Sequence, residues 1–138
     1  MKNKLFNQIG HIYLPTTNIF ASVKWYEEKL GFTLINQFMD RGSMIAIMKI
    51  PQKNNIAILL IETKNKSPLI INRNDSHFPV CSIYCPDIEY TYQVLKENGV
   101  EVTQLEVLGQ NEAKYFYFYD LEGNYLEAAW SIWDPKIE

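Results

Sequence analysis

The chain has 138 residues, 47% of them hydrophobic and 21% charged, with a formal net charge of −3. That length makes one ordinary domain that buries a core without disulfides or a structural metal, and the composition is globular rather than disordered. The longest apolar run, Ile56 to Ile61, is too short to span a bilayer, and no basic stripe exists to neutralise phosphates, which argues against membrane and nucleic acid as partners.

Met1-Lys2-Asn3-Lys4 leads straight into strand-like sequence without an apolar leader, so the expected location is the cytoplasm. Gln8 to Pro15 reads as a strand closed by proline. Thr16-Thr17-Asn18 then supplies N-cap candidates, and Ile19, Val23, Tyr26 and Leu30 follow at helical spacing up to Gly31, a good residue to end a helix. Three strand-like runs come next: Phe32 to Met39, Met44 to Ile50 and Ile56 to Glu62. They are separated by turn chemistry at Arg41-Gly42-Ser43 and at Pro51 to Asn55. Thr63 to His77 is polar and aperiodic and reads as a linker.

The pattern then recurs. Val80 to Cys85 reads as a strand closed by Pro86, Asp87 is an N-cap, and Ile88, Tyr92 and Leu95 mark a helix face that ends at Gly99. Val100 to Leu108, Ala113 to Tyr119 and Tyr125 to Ser131 are three further strand candidates. At a single offset Ile88 lies on Ile19 and Asp87 on Asn18, while Gly99 lies on Gly31 after a one-residue slip. The ordered recurrence predicts one α+β domain over residues 1–138, made of two tandem βαβββ modules. Module one covers about 7–63, the linker about 64–78 and module two about 79–134. Such modules form a curved mixed sheet around a central cleft, with the helices outside.

Strand parity assigns faces. His11 and Tyr13 share one face of the first strand, and Ile12 and Leu14 share the other. In the second copy Ser82 and Tyr84 alternate with Cys81, Ile83 and Cys85. The apolar sets suit packing under the helices, which leaves His11, Tyr13, Ser82 and Tyr84 for the cleft. Same-face residues four apart on a strand are separated by roughly 13 Å. Cys81 and Cys85 are therefore too far apart for a disulfide or one shared metal ion, and they read as small core residues. The run Tyr115-Phe116-Tyr117-Phe118-Tyr119 places aromatics on both faces of its strand, and Tyr117 on the cleft side keeps a polar handle for a ligand. Trp25 reads as helix packing. Trp130 and Trp133 close either the C-terminal edge or the cleft mouth.

The segments Ile9-Gly-His-Ile-Tyr-Leu-Pro15 and Ser22-Val-Lys-Trp-Tyr-Glu-Glu-Lys-Leu-Gly-Phe32 resemble the opening of the vicinal oxygen chelate superfamily. That superfamily includes glyoxalase I, bleomycin-resistance proteins and extradiol dioxygenases. Phe118-Tyr-Asp-Leu-Glu-Gly-Asn-Tyr-Leu-Glu127 is similar to its closing hairpin, and Cys85-Pro-Asp-Ile with Leu95-Lys-Glu-Asn-Gly-Val100 to the start of its second module. The hairpin chemistry agrees independently, because Asp120 can cap the turn and Gly123 can take positive φ.

The resemblance implies a homodimer, often with the two modules of each site contributed by different chains. It also implies metal ligands, His or Glu, on four strands, two per module. Carried over residue by residue, His11 and Glu127 occupy two of these positions and suit zinc, nickel, manganese or iron. The other two positions fall on Val80 and Leu59. Glu62 or His77 supplies a third ligand only after a three-residue register shift, which also turns the strand over. A catalytic site usually needs about three protein ligands.

The expectation is therefore a small-molecule-binding protein of the bleomycin-resistance type, with no cofactor, that holds a planar or cationic ligand between its aromatics, His11 and Glu127. One alternative is a metal-dependent lyase, isomerase or dioxygenase acting on vicinal oxygens, with Glu127 or Glu62 shuttling a proton. Another is a metal-free lyase or isomerase with His11 or Glu127 as the catalytic base. For each residue a plainer role stands beside these: His11 as a hydrogen-bonded strand histidine, Glu127 as a solvated carboxylate.

Overall fold

The computed structural model describes residues 3–53 and 55–136. Met1-Lys2 and Asn54 of the Pro51–Asn55 turn lie outside the described residues. Module one runs β1 (His11–Thr16), α1 (Ile19–Leu30), β2 (Thr33–Asp40), β3 (Ser43–Lys49) and β4 (Ala57–Glu62). A short hairpin, β5 (Ile71–Arg73) and β6 (Ser76–Phe78), follows. Module two is β7 (Cys81–Tyr84), α2 (Ile88–Glu97), β8 (Glu106–Leu108), β9 (Ala113–Tyr119) and β10 (Tyr125–Ser131). The duplicated unit is thus present in the expected order. Among the described residues no helix is long and apolar enough to cross a membrane.

The helices start and stop where their end residues require. Asn18 is in extended conformation and its side chain accepts from the Ala21 N–H, and Asp87 does the same for Tyr90. Gly31 closes α1 in the left-handed region at φ 72°, where a Cβ would be strained.

Each module forms its own four-stranded sheet, in the orders β1-β4-β3-β2 and β7-β10-β9-β8. The first and last strands of each module pair in parallel, and the remaining pairs are antiparallel. β1 and β7 are free edges of separate sheets, so the eight strands do not form one continuous ladder. The edge position of β1 explains how Pro15 fits inside a strand without breaking a ladder hydrogen bond.

α1 covers one face of the first sheet and α2 one face of the second. These covered faces merge into one core that includes Leu14, Ile19, Tyr26, Met48 and Leu60 from module one. Ile88, Leu95, Phe116, Phe118 and Leu126 join it from module two. Parity is as the sequence predicts: Ile12 and Leu14 of β1 and Cys81, Ile83 and Cys85 of the second copy all face this shared core, and both thiols are held above their ordinary pKa chiefly by burial. Trp25 and Trp130 pack against this core, whereas Trp133 is exposed.

A buried polar knot ties the modules together at the β9–β10 turn. The Tyr26 hydroxyl donates to Asp120 Oδ2 at 2.7 Å, and Asp120 Oδ1 accepts from the Gly123 and Asn124 N–H groups. Asn124, fully buried, donates to the Pro15 carbonyl and to Asp120 and accepts from the Leu69 N–H. Glu122 Oε1 accepts from the Thr17 N–H at 2.9 Å and from its hydroxyl, while Oε2 makes no hydrogen bond and lies 3.6 Å from the Lys66 ammonium.

Two expectations change. The segment read as a linker without periodicity contains the β5–β6 hairpin, whose turn residues Asn74 and Asp75 both take positive φ. This is primed-turn geometry with residues that tolerate it. The strand expected over Val100 to Leu108 shrinks to Glu106–Leu108, with one isolated bridge between Val102 and Phe118.

Candidate functional site

The face of each sheet opposite its helix is open, and the two open faces carry the residues singled out above. On module two, register places three of them in one row. Glu127 on β10 is directly opposite Ser82 on β7 and Tyr117 on β9. The next row holds Tyr84, Ala129 and Tyr115, and the row on the other side pairs Tyr125 with Tyr119. A carboxylate thus sits in the middle of a tyrosine field. Its ring contacts are close: Tyr119 to Tyr125 at 4.5 Å, Tyr117 to Tyr125 at 5.4 Å and Tyr115 to Tyr117 at 5.3 Å.

The β5–β6 hairpin closes one end of this field. His77 Nδ1 lies 3.0 Å from the Tyr119 hydroxyl, and its ring meets Tyr125 edge-on. Phe78 meets Tyr117 edge-on at 6.1 Å, and the Arg73 guanidinium stacks over Phe78 at 4.5 Å. Burial, then the neighbouring Tyr115 and Glu127, raise the Tyr117 phenol above its ordinary pKa, with Arg73 opposing. Tyr125 is raised too, first by burial and then by Tyr119 and Tyr117. The phenols therefore stay protonated at neutral pH and can donate hydrogen bonds.

The open face of module one is chemically different. His11 and Tyr13 pack edge to face at 4.8 Å on the same side of β1, and Arg41 from the β2–β3 turn donates to the Tyr13 hydroxyl at 3.1 Å. Behind them Tyr13 is opposite Leu59 where Ser82 is opposite Glu127, and His11 is opposite Ala57. The register expected from the sequence thus holds, with Leu59 at the counterpart of Glu127. Ile45, Ala57 and Leu59 form a small buried cluster flanked by Ile47 and Ile61.

Within one chain the two sets of residues stay apart. No hydrogen bond or ring contact among the described residues joins His11 or Tyr13 to Ser82, Tyr84, Tyr117 or Glu127. The alternative donors are committed elsewhere. Glu62 Oε2 accepts from the Ile19 N–H at 3.0 Å at the N-terminus of α1, and His77 is held by Tyr119. Among the described residues of one chain, no three His, Cys, Asp or Glu side chains come together into a group that could hold a metal ion.

Sequence reasoning missed Arg73, His77 in its present role, Phe78 and Arg41. The available signal was Asn74-Asp75 between Ile70-Ile71 and Phe78, turn chemistry flanked by apolar residues.

Two βαβββ modules, each a four-stranded sheet with one face under its helix and the other turned away from it, define the fold. The profile of the glyoxalase, bleomycin resistance protein and dioxygenase superfamily matches residues 8–128, and the chain belongs to that superfamily. No curated protein sequence matches the chain.

Solved structures share the fold at low identity. An antibiotic-binding protein from a Streptomyces species has a TM-score of 0.74 at 15% identity, covering 94% of this chain and 99% of its own. A glyoxalase family protein from Enterococcus faecalis has a TM-score of 0.70 at 20% identity, covering 91% and 99%. A fosfomycin resistance protein from Listeria monocytogenes has a TM-score of 0.70 at 14% identity, covering 94% and 97%.

Proposed function

We propose that this chain binds a planar, cationic small molecule on the open face of module two, without a metal or other cofactor and without breaking a bond in it. The observation that carries this reading is the Ser82–Glu127–Tyr117 row. It sets one carboxylate at the centre of Tyr115, Tyr119 and Tyr125, with His77 and Phe78 at one end. A flat ring gains area and edge contacts from the tyrosines. A positive charge gains both the carboxylate and the faces of the phenols, each cation–π contact contributing on the order of 0.5–2 kcal/mol. Ser82 and the protonated Tyr117 add donors that fix orientation.

In this proposal the protein is a cytoplasmic homodimer whose second copy supplies an opposing face, with His11 and Tyr13 completing the cleft. The antibiotic-binding protein from Streptomyces has the same fold, which supports this reading.

Calorimetric titration with N-methylquinolinium and with its uncharged parent quinoline tests the proposal. The cation is expected to bind more tightly to the wild type, and Glu127→Gln to remove that preference while leaving quinoline unchanged. Equal affinity for the two compounds in the wild type would overturn the cationic assignment. Protein purified without chelator and found by elemental analysis to hold one equivalent of zinc, nickel, manganese or iron would overturn the cofactor-free assignment. The metal-dependent lyase, isomerase or dioxygenase would then take its place.

A further inference from the structure

A half-open cavity lies where the two modules meet, between the C-terminal end of α1 and the side of α2. It measures about 410 Å³ and is lined by Leu30 and Phe32 at the exit of α1, Ile83 on β7, Val94 on α2, Phe118 on β9 and Ala128 on β10. That volume falls within the range of small-molecule sites, roughly 300–1,000 Å³. Its floor reaches the shared core, since Phe118 and Ala128 are buried residues of that core. Its apolar lining is open to solvent on that side, and an apolar occupant would remove that surface from water.

The mouth specifies the charge of the occupant. Glu28 and Lys29 stand there with opposite signs. The Lys29 ammonium reaches across from the last turn of α1 to the Asn98 carbonyl at the end of α2, at 2.9 Å. Both helices thus bring their carbonyl ends, the negative pole of the helix dipole, to this rim, which disfavours an anion. The lysine already occupies the place a cation would take. None of the residues in the tyrosine field around Glu127, other than Tyr84 at the strand end, lines this cavity.

We infer that the cavity between α1 and α2 is a second binding site, separate from the open faces, for an uncharged and mostly apolar molecule of two or three fused rings. Filling it joins Leu30 and Phe32 of module one to Ile83, Val94 and Phe118 of module two through one ligand, so occupancy stabilises the inter-module packing.

The uncharged fluorophore prodan, titrated into the full chain, tests this site, with the anionic anilinonaphthalenesulfonate as charge control. The expected result is saturable one-to-one binding of prodan with a blue-shifted emission, weaker binding of the anion, and a raised unfolding temperature at saturation. Val94→Trp and Thr91→Trp each place an indole in the cavity from half-buried helix positions and are expected to abolish prodan binding with cooperative unfolding retained. Glu127→Gln is expected to leave it unchanged. Nuclear Overhauser contacts between prodan and the methyl groups of Ile83 and Val94 report the site without any substitution.

Prodan binding that survives in both folded tryptophan variants, that is lost in Glu127→Gln, or that shows contacts only to the tyrosine rings would overturn the assignment. So would tighter binding of the anion. A change of oligomeric state in Val94→Trp would assign the groove to contact between copies and overturn it as well.

Discussion

The two open faces share one backbone plan and carry opposite chemistry. On module one the central row is Tyr13, Leu59 and Ile47, and on module two it is Ser82, Glu127 and Tyr117. Leu59 is 8% exposed and Ile45 beside it 1%, so the first face is closed down around an aliphatic cluster, with Arg41 reaching over to Tyr13. The second face keeps its carboxylate and Tyr115, Tyr117 and Tyr119 partly exposed, with Tyr125 buried among them. Duplication conserved what folding requires, namely the helix caps, the parity of β1 and β7 and the covered core. It left the opposite faces free to diverge, because a side chain that points away from the core is not constrained by the packing beneath.

The largest expected effect falls where the modules are joined. Asp120→Ala removes the acceptor for the Tyr26 hydroxyl, the Asn124 amide and two backbone N–H groups, all in a buried setting. Donors stranded without water cost about 1–3 kcal/mol each, so a loss of about 3 kcal/mol is expected in chemical denaturation. If the modules fold as one unit, a single transition moves to lower denaturant. Two separated transitions would show that the comparison concerns two independent domains.

Exchanging the central residues of the two faces tests their difference directly. Leu59→Glu places a charge in the buried aliphatic cluster and is expected to destabilise by about 2 kcal/mol. Glu127→Leu, on the half-exposed counterpart, is expected to change stability by less than about 0.5 kcal/mol. Equal losses from the two substitutions in urea melts would erase the asymmetry argued above. A smaller, functional effect follows from Glu127→Gln, with cation affinity falling about tenfold, or about 1.4 kcal/mol. Tyr13→Phe removes only the hydroxyl that Arg41 donates to and is expected to lower that affinity less than Glu127→Gln does, as calorimetry will read.

The covered side of the molecule was legible in the sequence and much of the open side was not. Ile19, Val23 and Tyr26 at helical spacing, Asn18 and Asp87 as caps, and the alternation of His11-Ile12-Tyr13-Leu14 are local signals, each set by a period or an end effect. Glu127 opposite Ser82 follows from the same parity once the strands are paired. The β5–β6 hairpin was hidden because its strands are three residues long and exposed, with no apolar alternation to reveal them. Contacts distant in sequence hold it: Leu69 N–H to Asn124 and Tyr125 N–H to the Leu69 carbonyl, then His77 to Tyr119. Arg73 and Phe78 arrive at the site only through that hairpin. The link from Tyr26 to Asp120 was equally invisible, since Asp120 reads correctly as a turn cap and nothing local tells that its second oxygen meets the other module.

The finest contrast between the modules lies at the N-termini of their helices. Asn18 caps α1 with a neutral side chain, and the negative charge favoured by the helix dipole comes instead from Glu62 on β4, which accepts from the Ile19 N–H. On α2 Asp87 both accepts from the Tyr90 N–H and carries charge, with Glu89 a second acid in the first turn. Asn18→Ala is therefore expected to cost about 0.5–1 kcal/mol with little salt dependence, and Asp87→Ala about 1–1.5 kcal/mol, shrinking as salt screens the dipole interaction. Glu62→Gln keeps a side-chain oxygen for Ile19 and removes only the charge, so it is expected to cost a few tenths of a kcal/mol and to show the salt dependence that Asn18→Ala lacks. Thermal melts of the three variants at low and high ionic strength separate these contributions. If Asn18→Ala proved the most salt-sensitive, Glu62 would not be the charged partner of α1, and its place on the covered side would have to be explained by packing alone.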